Sequence, residues 1–406
     1  MFSFPLKYIA ALMTTLGILN AQAQPTPQTP NPSTRPNPQI SNKPSSNIIN
    51  YSPQSQAWQD KLRDLAQGKA TQFRIVQLGD SHTAGGYFTD TLRQHLQQKW
   101  GNAGIGWVYP AAVSGQRSTV VDYSGSNWQL LNARRDTAAF PLGGILARSK
   151  TQQSLVLNPK DTGTQQISLA MRPIFSDSPL KITDATQKAT FAYSLHGNNW
   201  QYFTLNAQPP IRIQAADNAL WEIGAIQFEN QKSGVTVSAF GLNGTQLSHW
   251  QKWRADWEND LVETQADLII LAYGTNEAFN DQINVAQTQK IWQENIDRIQ
   301  QTLPHAAILM IGAPESLKNR DGVCGTRPKR LSEIQKMQHQ IAKEKHLLYW
   351  SWQDAMGGEC SMNRWINDKL AQNDGVHFTP QGYQFLAKEL SRALFNLSIK
   401  KYSQLK

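Results

Sequence analysis

Cysteine is almost missing from this 406-residue sequence: Cys324 and Cys360 are the two present. They form no CxxC pairing, so no zinc-site spacing is available. The H-E-x-x-H spacing and its relatives are also missing, and no metal or other cofactor is expected. G-x-S-x-G is absent too, which excludes the nucleophile elbow of α/β-hydrolases. Beyond the N-terminus no apolar stretch is long enough for a transmembrane helix. The formal net charge is +9, but the basic residues are spread rather than blocked. No nucleic-acid motif accompanies them, so no nucleic-acid partner is expected.

What is present is ordinary globular composition, with a hydrophobic share of 40% and an aromatic share of 9%. Lys7 precedes an apolar run from Tyr8 to Leu19, and Ala21-Gln22-Ala23 follows as a small-residue cleavage site. Residues 1–23 therefore read as a secretory signal peptide, and the run is too short to span a bilayer. No cysteine follows the cleavage site to carry a lipid. Residues 24–48, rich in Pro, Ser and Asn, read as a flexible linker. The expected location is exported and periplasmic, at or near the envelope. In that compartment an even cysteine count favours one Cys324–Cys360 disulfide, with two separate buried thiols as the alternative.

The folded part alternates strand and helix patterns. Phe73–Leu78, Val235–Phe240, Asp267–Tyr273, Ala306–Ile311 and His346–Trp352 read as strands. Helices are expected at Thr89–Trp100, Gln246–Thr264, Val285–Thr302, Leu331–Glu344 and from Thr379-Pro380 to about Asn396. This implies an α/β fold, a parallel sheet flanked by helices. Between about Gly115 and Lys232 the helical period disappears and short alternating runs appear. That stretch reads as an inserted β-sandwich at 115–232, dividing a catalytic domain into 49–114 and 233–406.

Gly79-Asp80-Ser81 directly follows the first strand, at the sheet edge where open α/β folds place ligands. Asp374-Gly375-Val376-His377 lies just before the last helix. A serine needs a base to become a nucleophile, and an imidazole needs an acceptor to fix its tautomer. Gly244 and Asn276, in loops after later strands, are candidate oxyanion donors: a close-approach backbone N–H and a neutral amide.

Gly79-Asp80-Ser81, Gly244, Gly274-Thr275-Asn276 and Asp374-Gly375-Val376-His377 resemble the four ordered blocks of the SGNH (GDSL-like) hydrolase superfamily. The resemblance implies a flavodoxin-type sheet. It also implies Ser81 as nucleophile, His377 as base, Asp374 as its orienter, and Ser81, Gly244 and Asn276 as the oxyanion hole. His82 replaces the usual leucine, and Glu277 stands where aspartate often follows the asparagine. With the export signal and the insert, the pattern is most similar to periplasmic peptidoglycan O-acetylesterases. These remove acetyl groups from the C6 hydroxyl of N-acetylmuramic acid, and their insert resembles family 35 carbohydrate-binding modules. The implied partner is O-acetylated peptidoglycan; no stable partner protein is implied. Alternatives are an esterase or acetyltransferase acting on another exported polysaccharide, or a non-catalytic wall-binding protein on this scaffold. Tyr123, Trp128, Phe175, Tyr193, Trp200, Tyr202 and Trp221 are either a sugar-stacking face or, for the most part, core of the insert.

Overall fold

The apolar run at 73–78 lies in the strand Gln72–Gly79 of a six-stranded sheet. This computed structural model describes residues 47–52, 57–125, 128–175 and 178–399. The expected signal peptide and positions 24–46 of the expected linker lie outside the described residues. Across the sheet the order is Ile49–Asn50, Leu348–Ser351, Ala307–Gly312, Leu268–Ala272, Gln72–Gly79, Gly234–Gly241. Ile49–Asn50 pairs antiparallel and the other pairs are parallel. Counted along the chain, the parallel strands take the order 2-1-3-4-5, which is the flavodoxin-type arrangement. Its topological switch falls between Gln72–Gly79 and Leu268–Ala272, and ligands of such sheets bind at the carboxyl ends of those strands.

Alternation along each strand feeds two cores. Phe73 and Ile75 join Leu92, Leu96 and Leu390 on the face covered by the helices Tyr87–Trp100 and Pro380–Ile399. Val76 and Leu78 join Trp292, Ile296, Ile334 and Ile341 on the face covered by Val285–Thr302 and Leu331–Glu344. Both sheet faces are thereby removed from water, as a parallel sheet requires.

The helix expected over 246–264 is not continuous. A 3-10 turn at Leu247–Lys252 is followed by a short helix at Glu258–Thr264. Tertiary packing overrides the helical spacing of the three tryptophans here. Trp250 stacks on Trp253 at 4.7 Å, Trp257 meets both edge-on, and Phe140 bridges to Trp253 as an isolated β-pair.

Two antiparallel sheets lie between Gln72–Gly79 and Gly234–Gly241 in the chain. One contains Val121–Ser124, Ser154–Pro159, Leu180–Thr183, Ala189–Ala192 and Ile211–Gln214. The other contains Gln129–Asn132, Ile145–Arg148, Gln165–Phe175, Gln201–Ala207 and Leu220–Glu229, with Gly104–Val108 added alongside Leu220–Glu229. Leu155, Ile182 and Ile213 of the first meet Ile167, Ile223 and Phe228 of the second in one core. Trp128 and Trp221 are buried there, whereas Phe175 and Tyr193 are exposed.

This layer is keyed to the parallel sheet. Arg74 pairs with Glu229 at 2.7 Å, Ser238 Oγ accepts from the Trp107 N–H at 2.9 Å, and Tyr109 O–H reaches the carbonyls of Gly143 and Gly241. Phe140 and Leu142 share a core cluster with Phe240, Trp250 and Leu261. Cys324 and Cys360 are joined in a disulfide, their Cα atoms 4.5 Å apart.

Candidate active site

Ser81 opens a four-residue helix, Ser81–Ala84, immediately beyond the Gln72–Gly79 strand. Asp80 caps it, its Oδ1 accepting from the His82 N–H at 3.0 Å. Only glycine fits at position 79, since a Cβ there would fall 2.1 Å from Thr83 Oγ1 and 2.7 Å from the Ala272 carbonyl. The cap and that close approach set Ser81 at the switch point of the sheet.

The loop before the last helix supplies the other two groups. Asp374 Oδ1 accepts from the backbone N–H of Val376 and of His377, closing a tight turn. Gly375 has a φ of +73° and lies against Leu317, whose N–H donates to the Gly375 carbonyl at 2.8 Å. The turn brings Asp374 Oδ2 within 2.7 Å of His377 Nδ1, and His377 Nε2 within 3.0 Å of Ser81 Oγ. The serine and histidine are 296 positions apart in the chain. Burial pushes the Asp374 carboxyl up, but hydrogen bonds from the His377 ring and the two amides outweigh it and hold it below the usual carboxylate range. An ionised Asp374 accepts Nδ1–H, leaving Nε2 free to take a proton from the serine hydroxyl.

Asn276, in the helix Thr275–Phe279, donates both amide protons: to the Thr245 carbonyl at 2.9 Å and to Asp80 Oδ2 at 3.3 Å. Gly244 stands in the adjoining loop with a φ of +71°. Glu277 binds the two loops together. One carboxylate oxygen accepts from the Leu247 N–H and the other from the Gly274 N–H. Burial raises Glu277 to about 7, against the hydrogen bonds from those amides. Asp80 is raised to about 8, chiefly by burial, with the Glu277 charge adding to it against the His82 hydrogen bond.

His82 lies beneath His377, with ring centroids 5.5 Å apart, among Trp352, Phe378 and Tyr383. Its Nδ1 is 2.9 Å from the Tyr383 hydroxyl. Burial, with His377 beside it, pushes His82 down to about 3, so the ring is neutral. A cleft of about 290 Å³ opens next to the Ser81–Ala84 helix, lined by Thr83, Ala84, Val108, Gln116, Arg117 and Gly241.

The structure thus brings Ser81, His377 and Asp374 into one hydrogen-bonded chain, with Gly244 and Asn276 in neighbouring loops. Sequence reasoning missed the linking work of Asp80 and Glu277 and the support from Tyr383. Their signal was weak, since each is a common residue whose partner is distant or in another loop.

Residues 224–385 match the GDSL-like lipase/acylhydrolase family, and residues 103–212 match the N-terminal domain of peptidoglycan O-acetylesterase. A solved peptidoglycan O-acetylesterase is 47% identical, covers 86% of this chain and 99% of its own, and superposes with a TM-score of 0.81. A family two carbohydrate esterase from Cellvibrio japonicus is 13% identical over 69% of this chain and 98% of its own, with a TM-score of 0.30. A GDSL-like lipase from Bacteroides thetaiotaomicron is 16% identical over 40% and 76%, with a TM-score of 0.31. No curated protein matches the chain. The chain belongs to the SGNH (GDSL-like) acylhydrolase family, with the mixed α/β fold of that family. It is a carboxylic ester hydrolase, and within the family it is similar to peptidoglycan O-acetylesterases.

Proposed function

We propose that this enzyme removes O-acetyl groups from the C6 hydroxyl of N-acetylmuramic acid in peptidoglycan, through a Ser81–His377–Asp374 triad and an acyl-enzyme. The hydrogen-bonded chain from Asp374 through His377 to Ser81 carries the mechanism. The substrate rests on the likeness to a peptidoglycan O-acetylesterase over most of both chains.

Ser81 Oγ attacks the acetyl carbonyl as its proton passes to His377 Nε2, and Asp374 stabilises the imidazolium. The carbonyl electron pair moves onto oxygen, which the N–H groups of Ser81 and Gly244 and the Asn276 amide receive. Asn276 turns to it by exchanging its longer bond, the one to Asp80. Collapse breaks the bond to the sugar oxygen, which leaves with the proton from His377. Water then attacks the acetyl-serine, giving its proton to His377, and acetate departs as Ser81 recovers its own. The enzyme acts in the periplasm after loss of residues 1–23. The two antiparallel sheets form a β-sandwich of the carbohydrate-binding-module kind that presents the glycan to the cleft.

Acetate release from O-acetylated peptidoglycan, compared with acetylated xylan, tests the substrate. Ser81→Ala and His377→Ala abolish turnover on this reading, while Asp374→Ala leaves a larger residue of activity. Preference for xylan would overturn the substrate, and near-normal turnover in either of the first two variants would overturn the mechanism.

A further inference from the structure

Arg134 belongs to the inserted layer, on the turn after Gln129–Asn132, yet its guanidinium reaches the Gly244 loop. A Cβ added at Gly244 would fall 2.7 Å from Arg134 Cζ, 2.8 Å from Nη1 and 3.0 Å from Nη2. The absence of a side chain at Gly244 therefore makes room for the cation as well as for the turn. Nη1 reaches the Asn243 carbonyl at 3.3 Å, a long bond that leaves most of the guanidinium's donors unused.

The backbone that carries Arg134 is well held. Ala133 is fully buried and its N–H donates to the Gly144 carbonyl at 2.8 Å. The side chain is exposed. A second cation, Lys252, lies behind it, with Nζ 3.3 Å from the Arg134 carbonyl. Among the described residues neither cation pairs with a carboxylate, whereas Arg148 and Arg172 pair with Glu222 and Arg254 pairs with Asp260. The positive field extends to His249, which burial first and then Lys252 and Arg134 push below its ordinary value.

A planar guanidinium with free donors, beside the loop expected to receive an oxyanion, matches a carboxylate. We propose that Arg134, backed by Lys252, is a specificity-determining residue that receives a carboxylate of the acyl-bearing muramoyl unit and so favours anionic over neutral acetylated glycans. This rests on the peptidoglycan reading above. A chitin-type chain carries no such group. A muramoyl unit offers one from two sources: the lactyl carboxylate where the stem peptide has been removed, or the free carboxylates of the peptide itself.

The test is a ratio of kcat/KM values for the full chain. The anionic substrates are O-acetylated peptidoglycan with stem peptides and the same glycan stripped of them by an amidase. The neutral reference is a 6-O-acetylated chitooligosaccharide. Arg134→Gln is expected to lower the anionic-to-neutral ratio about tenfold, mainly through KM, with Arg134→Lys intermediate. The wild-type preference should also weaken as salt is raised, because an exposed pair is screened. A ratio that falls only for stripped glycan assigns the lactyl carboxylate, and one that falls only for intact peptidoglycan assigns the peptide. An active wild type whose ratio is unchanged by Arg134→Gln overturns this inference alone. A wild type that releases acetate from the neutral substrate and from neither muramoyl substrate overturns the peptidoglycan reading and this one together.

Discussion

Replacing Asp80 by asparagine should change how stability depends on pH. Asp80 is almost wholly buried, at 1% exposure, and its carboxyl is raised from 3.8 to about 8. A carboxyl raised by folding stabilises the native state fully below its unfolded value, and that stability is lost as pH rises through the folded value. For Asp80 the window runs from about 4 to about 8, at a limiting slope of about 1.4 kcal/mol per pH unit. Glu277, raised from 4.5 to about 7, works in the same direction. His82, lowered from 6.5 to about 3, works in the opposite one: its contribution is complete above about 6.5 and disappears as pH falls towards 3. Between about 4 and 6.5 these slopes oppose each other; from 7 to 8 Asp80 dominates beside the tail of Glu277, which the comparison with the asparagine variant subtracts. By pH 8 the native carboxyl is itself half titrated, so the loss from pH 7 to 8 integrates to about 1 kcal/mol. Over the unit Lys43–Lys406, an unfolding entropy of about 2.1 cal/mol/K per residue turns that into about 1 °C. Melting temperatures measured calorimetrically from pH 7 to 8 should fall about 1 °C further in the wild type than in Asp80→Asn. The asparagine keeps an oxygen for the His82 amide, so the cap is preserved. Parallel curves for the two proteins would show that Asp80 is ionised in the native state, and the reasoning from its burial would be wrong.

Other expectations follow from the same geometry. Asn276→Ala should lower kcat about 10²–10³-fold with little change in KM, as when one oxyanion donor is lost; an effect confined to KM would mean that it binds ground-state substrate. Phe140→Ala removes a fully buried ring shared by the inserted layer and the parallel sheet. It should cost about 3–5 kcal/mol and shift a single cooperative unfolding transition; two transitions, with only one moved, would mean that the layers unfold independently. The Cys324–Cys360 bond should contribute roughly 2–4 kcal/mol. Denaturant unfolding of Cys324→Ser/Cys360→Ser measures that difference, and an unchanged midpoint would refute it.

Some of this protein was legible in the chain because the physics is local. The alternation of Phe73, Ile75, Val76 and Leu78 between two cores follows from the two-residue period of a strand. Asp374 and His377 meet because three residues make one turn, and that turn is closed by the Asp374 carboxylate accepting from the His377 backbone N–H. Contacts between distant segments are different, since no local pattern encodes which surfaces will face each other. The tryptophans at 250, 253 and 257 have helical spacing, yet stacking with one another and pairing with Phe140 broke the helix. Asp80 meets Asn276 across 196 positions, and Glu277 joins loops 30 positions apart. Arg134 arrives from the inserted layer, 109 positions before the Asn243 carbonyl it reaches. Residue type and spacing determined the strands, the helix order and the turn that holds the imidazole. Only tertiary packing decided which carboxylates were buried, which cations stand beside the Gly244 loop, and which groups surround Ser81, because burial and pairing depend on what the rest of the chain brings alongside.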